Sequence, residues 1–94
     1  MKYYDTIALM GEVLSEHKVP FTINPCHDGY QIRFPWCKGD IAMHSLTIGA
    51  REGMVETYQF PWDGDDVTPM SPLNAVITVL GYYEREHKEK KTAK

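Results

Sequence analysis

The chain has 94 residues and a mass of 10.8 kDa, which is enough for one small hydrophobic core and leaves no room for a second. Its 43% apolar, 12% aromatic and 24% charged residues are the proportions of an ordinary globular domain, and they exclude disordered, collagen-like and membrane-spanning classes. A formal charge of −3 and a pI near 5.7 exclude a general nucleic-acid-coating role, because affinity for phosphates needs a surplus of Lys and Arg.

From the N-terminus, Tyr3, Ile7, Met10 and Leu14 recur at helical spacing, with Glu12, Ser15, Glu16 and Lys18 on the other side. This predicts an amphipathic helix over residues 3–18, stopped by Pro20. Val19, Phe21 and Ile23 then alternate with Pro20, Thr22 and Asn24, the period of a half-buried strand that starts or edges a sheet. NPCHDG reads as a turn. Tyr30, Ile32, Phe34 and Trp36 alternate with Gln31, Arg33 and Pro35, predicting a second strand with a wholly apolar inward face. In IAMHSLTIG both sides are partly apolar, which predicts a two-sided or bulged strand.

AREG is a turn, and MVETYQFPW returns as a strand with Tyr58, Phe60 and Trp62 on one side and Val55, Thr57 and Gln59 on the other. DGDDVTPM reads as a loop. Ser71 as N-cap and Pro72 at the first helical position open a helix whose expected stripe is Leu73, Val76, Ile77, Leu80 and Tyr83. The expected fold is α+β, a two-layer sandwich with an N-terminal helix, a three- or four-stranded antiparallel meander and a C-terminal helix, both helices on one face. Residues 1–88 form the domain and residues 89–94 a charged, frayed tail. On the uncovered sheet face this reading puts Arg33, Thr57, Gln59, Val55 and His44.

In outline the element order is similar to that of the double-stranded-RNA-binding domain. SPLNA, however, carries no Lys or Arg where that fold begins its phosphate-contacting helix, so no nucleic-acid role is expected.

YQIRFPW and YQFPW echo each other, and in a meander both FPW ends reach one edge of the sheet. That gathers Trp36, Asp40, Trp62, Asp63, Asp65 and Asp66, with Cys37 beside them, into an aromatic and acidic surface suited to a basic protein partner. The ordinary alternative is that both tryptophans plug the core and both prolines end strands. Rival readings are a nucleotide stacked between Trp36 and Trp62 near Arg33 or Lys38, and a homodimer through the uncovered sheet face.

Calcium is not expected at Asp63–Asp66, since Thr68 and Asn74 stand where an EF-hand loop needs Gly and Glu. Cys26, His27, Cys37 and His44 supply zinc-type donor atoms. They lack paired C-x-x-C spacing, and adjacent Cys26 and His27 diverge in an extended strand, so no metal or other cofactor is expected. Cys26 or Cys37 with His27 or His44 is the one conceivable nucleophile–base pair, and no pattern places them together; a cysteine-dependent enzyme is the further rival, and the chain is expected to be no enzyme.

Two cysteines are too few for a secreted disulfide framework. The N-terminus lacks a signal-peptide pattern and no stretch reaches bilayer length, so a cytoplasmic chain is expected. A small domain of this kind suits an accessory or inhibitory factor of the sort carried by phages and mobile elements.

Overall fold

A computed structural model describes residues 2–44, 53–64 and 67–92. The elements in chain order are α1 (Lys2–Glu16), β1 (Thr22–Cys26), β2 (Gly29–Arg33), β3 (Asp40–Met43), β4 (Val55–Tyr58), β5 (Thr68–Met70) and α2 (Pro72–Thr92). The strands form one antiparallel sheet in the order β1-β2-β3-β4-β5, an open meander against which both helices pack.

Helix α1 buries Ile7, Met10 and Leu14, three of the four positions of the stripe its sequence shows, and Tyr3 packs against the same core. It ends before Pro20 by its own chemistry. Lys18 takes a left-handed φ of 59°, its N–H donates to the Ser15 carbonyl at 2.9 Å, and the Val19 N–H donates to the Leu14 carbonyl at 3.0 Å. This is the Schellman pattern, completed by the burial of both Leu14 and Val19. At the other helix, Ser71 Oγ accepts the Asn74 N–H at 3.2 Å, the N-cap bond that the Ser71–Pro72 pair predicts.

Register assigns the sheet faces. Ile23, Ile32, Ile41 and Thr57 lie in one cross-strand row, with Tyr30, Met43 and Val55 on the same side. Ile32, Ile41, Met43 and Val55 join Ile7, Leu14, Val76 and Val79 in a single core, so both helices share that face. The opposite face carries Asn24, Gln31, Ala42 and Glu56 in one row and Thr22, Arg33, Asp40 and Tyr58 in the next. Strand β3 is indeed buried on both sides, since Ile41, Ala42 and Met43 are each 3% exposed or less.

Several expectations are corrected. Among the described residues the sheet has five strands, not three or four; β5 was hidden because its central Pro69 reads as loop, whereas at a sheet edge a missing N–H is harmless. Asn24, Pro25 and Cys26 belong to β1, so the turn shrinks to His27 and Asp28. Strand β2 ends at Arg33, and Phe34–Trp36 leave the ladder. In β4 the alternation breaks at Gln59, whose φ of 61° rotates the chain. Tyr58 therefore faces away from the helices while Phe60 returns to the core, and Val55 and Thr57, expected on the uncovered face, are fully buried under the helices.

Helix α2 is also rotated from its expected setting. Ala75, Val76 and Val79 are buried, whereas Leu73 and Ile77 are 69% and 56% exposed. Val76, Leu80 and Tyr83 of the expected stripe do pack at the core, and small Ala75 with Val79 and Tyr82 takes the place of Leu73 and Ile77 there. The region expected to continue the third strand over residues 45–49 lies outside the described residues.

Candidate functional site

Both FPW segments build the same local structure. The Cys37 N–H donates to the Phe34 carbonyl at 3.4 Å and the Asp63 N–H donates to the Phe60 carbonyl at 2.9 Å, so each segment is a reverse turn with proline at its second position. The turns sit side by side, as the echo implies, with the Phe34 and Phe60 rings 5.9 Å apart. Tyr82 of α2 stands between the tryptophans, 5.7 Å from Trp36 and 5.8 Å from Trp62. Trp62 stacks on Phe60 at 4.5 Å and 6°, and Trp36 packs on Phe34 and Tyr83. An open bowl of about 500 Å³ lies beside Trp36, Cys37, Phe60 and Tyr82.

The polar groups of this end are turned inward. Trp36 Nε1–H donates to the Pro20 carbonyl at 3.0 Å, tying this turn to the segment after α1. Trp62 Nε1–H donates to Thr57 Oγ1 at 3.2 Å. That hydroxyl lies 2.9 Å from Asp63 Oδ1 and 3.2 Å from the Thr68 carbonyl; it has one proton, and the charged, nearer oxygen is the stronger acceptor. Asp63 Oδ2 accepts the Phe60 N–H at 3.2 Å, and the residue is only 7% exposed. Asp63 thus braces its own turn.

Asp40 is parted from the tryptophans: it lies on the helix-free face, in register with Arg33 and Tyr58. Burial raises its carboxyl above the ordinary value, with Arg33 opposing and Asp63 adding to the rise. Burial likewise raises the Cys37 thiol, the wrong direction for a nucleophile. Asp65 and Asp66 lie outside the described residues.

On the helix-free face, a cleft of about 240 Å³ is lined by Cys26, His27, Gln31, Asp40, His44 and Tyr58. The Tyr58 hydroxyl donates to Glu56 Oε1 at 2.6 Å, and burial, with that bond, raises its pKa. Of Cys26, His27, Cys37 and His44, three come together here: ligand atoms of Cys26, His27 and His44 lie within 4.8 Å of one another, and Cys37 lies elsewhere, beside Trp36. Cys26 and His27 diverge only if the chain is extended at both. His27 is instead a turn residue with φ 56°.

The feature that sequence reasoning missed lies on the outer side of the helix layer. Thr6, Leu9, Met10 and Val13 of α1 and Pro72, Leu73 and Val76 of α2 line a groove of about 350 Å³ that is apolar except for Thr6. Its rim is exposed: Leu9 64%, Val13 38%, Leu73 69%, with Ile77 continuing the row at 56%. Asp5, Glu12 and Glu16, all exposed, stand one helical turn from Leu9 or Val13. Residues 3–16 contain no Lys or Arg, and exposed Glu84 follows Ile77 two turns along α2. The signal was available in α2, which has more apolar positions than one stripe can hold.

Among the described residues no helix is long and apolar enough to cross a membrane. Comparison of the chain with family models, curated proteins and solved structures found no match.

Proposed function

We propose that this chain is a non-enzymatic binding domain that acts through protein–protein contact, docking a basic amphipathic helix of its partner in the groove between α1 and α2. The observation that carries this reading is the row Leu9, Val13, Leu73 and Ile77, which with Tyr4 are the exposed large apolar side chains among the described residues, left around an apolar groove. Contiguous apolar surface of this kind is a recurrent mark of interaction sites, and a groove between two helices suits an entering helix that presents apolar residues every three or four positions. Asp5, Glu12 and Glu16 give the partner its sign: a helix with Lys or Arg beside its apolar face meets carboxylates along the α1 flank.

The tryptophan end is the weaker docking surface, because both indole N–H groups and the Asp63 carboxylate are engaged within the chain. Pairing of two copies through this groove sets acidic flanks against acidic flanks, which disfavours it. Edge-to-edge pairing is blunted as well, since both edge strands carry proline, Pro25 in β1 and Pro69 in β5.

Titration calorimetry with a designed Leu/Lys amphipathic peptide tests this. Saturable binding with a negative heat-capacity change is expected, weakened at least tenfold by the double change Leu73→Glu and Ile77→Glu. A Leu/Glu peptide of the same pattern is expected not to bind. Equal binding by parent and double variant, or no binding of the basic peptide, removes the proposal, and a dimer that dissociates in the double variant replaces it with self-association.

A further inference from the structure

We infer that Cys26, His27 and His44 form a cation site of the zinc type on the helix-free face of the sheet, on the side away from the α1–α2 groove and independent of its function. The three side chains come from two places in the chain. Cys26 ends β1 and His27 opens the two-residue β1–β2 loop, while His44 follows β3. Their ligand atoms lie within 4.8 Å of one another, and the two imidazoles meet edge to face with centroids 4.6 Å apart.

Two backbone features bring the cluster together, the first of them part of the β1–β2 hairpin turn itself. His27 has φ 56°, where glycine is the usual occupant of such a turn and a bulky side chain is strained. This conformation brings its imidazole to the same side as Cys26. Gly29 is buried, and a Cβ on it would run into the Met43 carbonyl oxygen and approach within 2.7 Å of His44 Cα. Only glycine lets the end of β3 come near enough for His44 to join the turn.

One thiolate and two imidazoles are borderline-to-soft donors that suit Zn²⁺ and disfavour Ca²⁺ or Mg²⁺. In a tetrahedral zinc site, donors about 2.0–2.3 Å from the metal stand roughly 3.3–3.7 Å apart. The cluster therefore closes by a modest side-chain movement, for which exposed His27 has the freedom. The cluster lines the same cleft as Asp40 and Tyr58, whose opening leaves room for a further ligand. Binding converts the Cys26 thiol to a metal-bound thiolate and releases one proton, so affinity rises with pH.

The test uses the full chain, stripped with chelator, kept reduced without added thiols and titrated with Co²⁺ as a spectroscopic probe. One equivalent is expected to give a thiolate-to-cobalt charge-transfer band with the visible bands of tetrahedral cobalt, displaced by Zn²⁺. Cys26→Ser abolishes the charge-transfer band, and Cys37→Ser leaves it intact. His27→Gly separates ligation from folding: it relieves the positive φ, raising the melting temperature of the metal-free protein, yet weakens cobalt binding by more than about 100-fold, the most that an outer-shell partner alone is worth. An octahedral spectrum without the thiolate band, or parent-like affinity in both Cys26→Ser and His27→Gly, overturns the assignment.

Discussion

Lys18 pays a conformational cost that its sequence does not advertise. It closes α1 in the left-handed region at φ 59°, a place where glycine is favoured by about 1 kcal/mol. Lys18→Gly is therefore expected to stabilise the domain by about 0.5–1 kcal/mol, seen as a rise of roughly 4–8 °C per kcal/mol in thermal unfolding. Asp40 gives a pH-dependent counterpart. Burial raises its folded-state pKa above the unfolded one, so the ionised form is disfavoured by folding. Its favourable contribution is full in acid and is lost as pH rises through the folded pKa. Asp40→Asn is expected to raise the melting temperature at neutral pH, with the gain shrinking as pH falls; a gain independent of pH contradicts the assignment. Thr57 links Trp62, Asp63 and β5, and Thr57→Val leaves the Asp63 carboxylate and the Trp62 N–H without that partner, at an expected cost of about 1–3 kcal/mol in denaturant unfolding.

Periodicity located the elements of this fold better than it located their faces. The stripe of α1 and the alternation of β2 were legible because each has one clean apolar side, and the Ser71–Pro72 cap was legible because its chemistry is local. Strand β4 was misread because alternation assumes unbroken extended backbone, and Gln59 at φ 61° interrupts it. Strand β5 was missed because Pro69 is a loop signal everywhere except at an edge. In α2 the large residues Leu73 and Ile77 suggested the core side, but the core takes Ala75, Val76 and Val79. Two substitutions separate the alternatives. Val79→Asp puts a charge at a fully buried position and is expected to abolish folding, whereas Ile77→Asp is expected to change stability by less than about 0.5 kcal/mol. Circular dichroism melts of the two variants decide which face is inward.

At the scale of the whole molecule, the domain is two layers with unlike outer surfaces. The sheet's helix-free face carries Arg33, Asp40 and Tyr58, with Glu56 buried among them, while the helix layer exposes an apolar groove with carboxylates along α1. The meeting of the two FPW turns was legible in the sequence, because strand direction alone requires it. What the turns do was not, since the bonds from Trp36 to Pro20 and from Trp62 to Thr57 depend on tertiary packing. The groove escaped notice for a related reason: an exposed leucine and a buried one look the same until the helices are set against each other. The most direct test of the docking account is an amide chemical-shift map of the protein titrated with the basic amphipathic peptide. Shifts concentrated on Leu9, Val13, Leu73 and Ile77 are the expected result. Shifts concentrated at Trp36 and Trp62, or on the helix-free sheet face, contradict it.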